Sequence, residues 1–117
     1  MNRSGARAEA LCAERMRRAG LRILARNWRC RMGEIDLIAD EAGVTVFVEV
    51  RQRSSRRYGG AGESITAAKR ARLMAAAEHY LAGRRERNCR FDVMLIDGAA
   101  GGRLEDIDWI RDAFGAQ

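Results

Sequence analysis

The sequence predicts an α/β fold with the element order α-β-β-β-α-β and a further strand at the end. Three observations carry that prediction. Two segments have helical apolar spacing, four runs of strand length are rich in Ile, Leu, Val and Phe, and a break at Glu41-Ala42-Gly43 joins two of those runs. At 117 residues and 47% hydrophobic content, a single domain spanning 1–117 is expected, able to bury a core without disulfides or a structural metal. Proline is absent and no repeat or linker interrupts the chain.

Residues 5–19 place Ala6, Ala8, Ala10, Leu11, Cys12, Ala13 and Met16 among charges and end before Gly20, as a helix with a glycine stop would. Residues 21–28 read as a short strand. Residues 33–40 and 44–51 are stronger strands and look like a hairpin. After an Arg/Ser/Gly-rich loop at 52–62, Thr66 can cap a helix reaching Leu81, in which Leu73, Ala76, Ala77, Tyr80 and Leu81 recur at helical spacing. Residues 90–97 form another buried strand. The chain turns at 98–102, an edge strand is expected over 104–110, and a terminal turn over 111–114.

The formal net charge is +6, and residues 1–90 carry 20 Lys+Arg against 10 Asp+Glu, whereas residues 91–117 carry 2 against 6. Such an excess suits a polyanion, because each cation set on a phosphate releases a condensed counterion. Nucleic acid is the leading partner, DNA ahead of RNA. Arginine supplies 21 of the 22 basic residues, which a GC-rich codon supply would also produce. Cys12, Cys30 and Cys89 are odd in number and form no C-x-x-C pair, the pattern of small residues in a reducing compartment. With no apolar run of signal-peptide or membrane-span length, a cytoplasmic protein without a membrane partner is expected.

A hairpin centred on Ala42-Gly43 pairs residues whose numbers sum to 85, which sets Asp36 opposite Glu49. Alternation then projects Glu34, Asp36, Phe47, Glu49 and Arg51 from one face, and Ile35, Leu37, Val46, Val48 and Val50 from the other. Two facing carboxylates repel unless something positive lies between them. Mg²⁺ or Mn²⁺ would serve, and such a cation lowers the pKa of bound water and neutralises charge on a phosphodiester. A solvated face neutralised by Arg51 and its neighbours is the other reading of the same residues.

The strings Gly33-Glu34-Ile35-Asp36-Leu37-Ile38-Ala39 and Val46-Phe47-Val48-Glu49-Val50-Arg51 resemble the YraN family of the PD-(D/E)XK nuclease superfamily. Gly5-Ala6-Arg7-Ala8-Glu9, Leu24-Ala25-Arg26-Asn27-Trp28-Arg29, Thr66 with Lys69 and Arg72, and Arg90-Phe91-Asp92-Val93 extend the likeness over nearly the whole chain. The resemblance implies a restriction-endonuclease-like (tRNA endonuclease-like) core, with a mixed central sheet flanked by helices, related to Holliday-junction resolvases. It also implies Mg²⁺-dependent phosphodiester hydrolysis as the ancestral activity. Carried over by position, Asp36 and Glu49 are metal ligands, Glu9 completes the site directly or through water, and a homodimer follows by analogy with resolvases.

Arg51 stands where that family usually has lysine. A guanidinium stays protonated, so Arg51 cannot be a general base; it is left to bind the scissile phosphate or to mark a site that binds without cutting. In the adjoining loop, Arg53, Arg56 and Arg57 with Tyr58 interleave cations and an aromatic ring, as a nucleic-acid contact would, although a solvated connection has the same composition. Lys69 and Arg72 begin a helix where cations oppose the dipole, which favours a phosphate-facing role. The sequence thus yields a metal-dependent nuclease with Asp36, Glu49 and Arg51 at its centre. Its rivals are a non-catalytic nucleic-acid-binding module with a degenerate site and, more weakly, an assembly factor using the acidic stretch Glu105-Asp106-Ile107-Asp108.

Overall fold

A computed structural model describes residues 3–53, 65–84, 88–97 and 103–115, with the side chains of Arg3, Ser4 and Arg53 excepted. Helix α1 (Arg3–Arg18) precedes strands β1 (Arg22–Cys30), β2 (Gly33–Glu41) and β3 (Val44–Arg53). Helix α2 (Ala67–Leu81) then leads to β4 (Cys89–Asp97), a 3-10 turn (Leu104–Asp106) and β5 (Asp108–Phe114). The five strands lie side by side in chain order. Among the described strands only β3 and β4 run parallel, and α2 lies in the crossover that parallel neighbours require. This is the α-β-β-β-α-β core with a mixed sheet between helices, the restriction-endonuclease-like fold.

Helix α1 forms because Ala8, Cys12, Ala13 and Met16 make one apolar stripe, which is buried against the sheet. Its stop is the expected glycine: Gly20 has φ +97, its N–H donates to the Arg17 carbonyl at 2.9 Å, and Leu21 N–H reaches the Met16 carbonyl at 3.0 Å. Leu21 joins Met16 in the core, which completes a Schellman stop. At the other helix, the Thr66 hydroxyl accepts from Lys69 N–H at 3.1 Å and so caps α2 as the sequence indicates.

The sheet buries both faces. Leu37, Ala39, Val46, Val48, Met94 and Ile96 meet α1, while Ile35, Ile38, Phe47 and Phe91 meet Leu73, Ala76, Ala77 and Tyr80 of α2. On the α2 side, Trp28, Tyr80, Phe47, Phe91 and Phe114 form a chain of ring contacts with centroid separations of 5.1 to 5.9 Å. Trp109 packs half-buried against the α1-side core, with the Arg15 and Arg111 guanidiniums over its ring at 5.1 and 4.0 Å.

Three local expectations are corrected. The last strand occupies Asp108–Phe114 rather than 104–110, and residues 104–106 form the 3-10 turn. Towards its far end β5 shifts register between Phe91 and Val93, where the buried Asp92 carboxylate takes the Asp112 N–H at 2.9 Å. Ile35 and Leu37 were expected on one face but pack on opposite ones, so alternation in β2 slips at Asp36. Finally, β1 continues to Cys30, with Asn27 at φ +52.

Candidate functional site

The β2–β3 hairpin turns on Ala42 (φ +51) and Gly43 (φ +91), and pairing sums to 85 from Glu41↔Val44 to Leu37↔Val48, the register read from the sequence. The ladder ends one residue short of Asp36 and Glu49, which are therefore not paired as expected. In place of a ladder bond, the Asp36 carboxylate accepts the Val50 N–H at 2.8 Å. The slip of β2 and the end of the ladder coincide, and together they leave Asp36 in a gap between α1 and the strands.

Three carboxylates meet in that gap. An oxygen each from Glu9 of α1 and from Glu34 and Asp36 of β2 lie within 4.8 Å of one another, a cluster able to coordinate a metal ion. Glu9 is 9% exposed; it hydrogen-bonds the side chains of Asn27 and Asp36, yet its Oε1 is buried with no partner among the described residues. Burial, opposed by those hydrogen bonds, raises the Glu9 pKa, and the neighbouring Glu34 raises it further. Burial first, then the charges of Glu49, Glu9 and Glu34, push Asp36 from 3.8 to about 8 against the lowering effect of Val50 N–H. Burial first, then the charges of Asp36 and Glu9, push the Cys12 thiol up to about 12, so it behaves as a small apolar residue.

Glu49 approaches Asp36 from the α2 side and is 5% exposed. Lys69 Nζ stands 3.0 Å from its Oε2 and Arg51 Nη1 3.6 Å from it. Lys69 is the only lysine in the chain, and the buried carboxylate explains why a cation is tolerated in the first turn of a helix. Arg72 lies one turn further along, exposed, above the start of β2: a Cβ added to Gly33 would come within 3.9 Å of the Arg72 Cβ. Gly33 itself has φ +147, a conformation side chains rarely adopt. Of the loop residues singled out in the sequence, Arg56, Arg57 and Tyr58 lie outside the described residues, as does the side chain of Arg53.

Thus Glu9, Asp36, Glu49, Arg51 and Lys69 converge, with Arg72 at the rim. Two neighbours had no site role in the sequence reading. Glu34 was placed on a shared face with Asp36 and nothing more, and Asn27 carried no local signal except that Asn tolerates positive φ. His79 is exposed beside Trp28 at 6.0 Å, away from this group.

A second buried carboxylate shows what an internally neutralised one looks like. Asp92, fully buried, accepts from Arg90 Nε at 2.9 Å and Nη2 at 3.2 Å, from Trp109 Nε1 at 2.8 Å and from Asp112 N–H at 2.9 Å. Arg90 and Arg111 also hold Glu41 at 2.7 and 3.0 Å. Asp36 has acidic neighbours where Asp92 has basic ones. An unbalanced cluster of this kind invites a cation.

Fold and acidic gap together place the chain in the restriction-endonuclease-like class. Comparison with known proteins gives the narrower assignment: residues 8–96 match the model of the Uncharacterised protein family UPF0102. A UPF0102 protein of Dechloromonas aromatica is 52% identical over 112 residues, covering 96% of this chain and 88% of that protein. UPF0102 protein NE0719 of Nitrosomonas europaea is 52% identical over 111 residues, covering 94% and 92%. UPF0102 protein PA4424 of Pseudomonas aeruginosa is 47% identical over 115 residues, covering 96% and 92%. The chain belongs to the UPF0102 (YraN) family, a distant branch of the PD-(D/E)XK superfamily. Among the described residues, no helix is long and apolar enough to cross a membrane.

Proposed function

We propose that this protein binds nucleic acid and hydrolyses phosphodiester bonds with a divalent cation, Mg²⁺ or Mn²⁺, on DNA that includes branched forms. The observation that carries the reading is the crowding of Glu9, Glu34 and Glu49 around Asp36, with no cationic partner for Asp36 itself among the described residues. The donor set fits a hard cation: all oxygens are carboxylate, and Glu9 Oε1 is buried and, among the described residues, unpartnered. Held by Asp36 with Glu9 and Glu49, the ion would activate water and offset charge on the phosphate.

The chain's own residues do the rest. Asp36 is fixed by Val50 N–H at the end of the ladder, so its position is set by the backbone. Arg51 stays protonated and serves as a bidentate donor to a phosphate oxygen as negative charge develops there. Lys69 holds Glu49, and Arg72, with Arg53 at the end of β3 and Arg56, Arg57 and Tyr58 after it in the sequence, meets flanking phosphates and an unpaired base. Two-fold symmetric substrates would call for a homodimer, by analogy with resolvases.

A binding-only site is the second reading, favoured by one observation: Glu49 is already neutralised by Lys69 and Arg51, and the family's usual lysine is missing at Arg51. The two separate on labelled single-stranded, duplex and four-way-junction DNA and structured RNA incubated with Mg²⁺, Mn²⁺ or EDTA. Metal-dependent cleavage is expected. Salt-sensitive binding without cleavage on every substrate would leave the binding module.

A further inference from the structure

We propose that Glu34 is a ligand of the cation at Asp36, completing with Glu9 a three-carboxylate site on the α1 side of the gap. The inference rests on the metal-dependent reading above and adds a residue to it. Glu34, Asp36 and Glu9 bring oxygens within 4.8 Å of one another, close enough for one ion to touch all three. Independently, Glu9 Oε1 is buried beside them with no hydrogen-bond partner among the described residues, which destabilises the fold unless something meets it.

The local backbone explains why Glu34 faces the gap. Gly33, at φ +147, starts β2, and the slip at Asp36 turns the strand so that Glu34 and Asp36 both reach Glu9 while Ile35 packs toward α2. Among the described residues, the cation paired with Glu34 is Arg29, whose Nε lies 3.7 Å from Oε1 in a pair exposed by 66% and 38%. So exposed a pair is worth little and gives way to a divalent ion readily. Glu49 has a different situation: Lys69 and Arg51 already balance it from the α2 side. On the α1 side the three carboxylates have weaker balancing charge, from Arg26 acting on Glu9 and the exposed Arg29 on Glu34.

Mn²⁺ binding to the full chain, followed by electron paramagnetic resonance of the free ion, tests this without relying on activity. The wild type should bind, Asp36→Asn should lose binding, and Glu34→Gln should raise Kd by about tenfold or more, as removal of even an outer-shell partner commonly does. Glu105→Gln removes the same charge from the exposed 3-10 turn and should leave Kd within about twofold. Thermal melts in EDTA confirm that each variant folds, and Glu34→Ala supplies a second substitution at the position. Wild-type affinity in both Glu34 variants, with binding lost in Asp36→Asn, overturns the role of Glu34 and leaves the metal-dependent reading standing. No Mn²⁺ binding by the wild type overturns both.

Discussion

At the scale of single residues, Asp36 and Asp92 show how the same side chain acquires opposite behaviour from its neighbours. Asp92 sits among an Arg, an indole N–H and a backbone N–H, whereas Asp36 has one backbone N–H and three carboxylates. With Asp36 raised from 3.8 to about 8, the folded protein holds a proton that the unfolded chain has released throughout that interval. Stability of the metal-free protein should therefore fall as pH rises from about 4 to about 8, with the raised Glu9 acting in the same direction. Asp36→Asn should flatten much of that slope in EDTA, and Mg²⁺ should reduce it in the wild type by stabilising the ionised form. Thermal melts across pH 4 to 9 measure both; a wild-type slope unaffected by either change would show that Asp36 is not strained in this way.

At the scale of elements, the hairpin is the most legible part of the molecule. Ala42-Gly43 fixed its centre, alternation fixed its faces beyond Asp36, and the resulting register agrees with the structure as far as Leu37↔Val48. Both central residues have positive φ, which suits Gly43 and strains Ala42. Ala42→Asn should stabilise the protein by about 0.5–1 kcal/mol, read as a shift in denaturant midpoint at unchanged slope. The parts that sequence did not reveal are the irregular ones. The slip at Asp36 and the register shift of β5 both arise where a buried carboxylate draws the backbone to itself, as Asp36 does with Val50 and Asp92 with Asp112. Periodicity describes regular strands, and it has no term for a side chain that competes with the ladder. For the same reason Glu34 and Asn27 gained their neighbours from tertiary structure alone.

At the scale of the whole molecule, two flanking helices bring the site together: α1 delivers Glu9, α2 delivers Lys69 and Arg72, and the hairpin supplies Glu34, Asp36, Glu49 and Arg51. The arrangement sets carboxylates beside basic groups in a chain of net charge +6, which suits an anionic polymer drawn toward a cation site. Binding should weaken steeply with salt, and Arg72→Ala should lower the slope of log Kd against log salt by roughly one, the signature of one phosphate contact. An unchanged slope would move Arg72 off the nucleic-acid path.

The central claim is that Asp36 serves phosphodiester hydrolysis rather than folding or binding alone. The most direct measurement compares wild type with Asp36→Asn in Mg²⁺ on whichever nucleic acid is cut, alongside affinity for the same molecule in EDTA. The account predicts that the variant loses cleavage by about 100-fold or more while binding within about twofold of the wild type. Equal cleavage by the two proteins would contradict it.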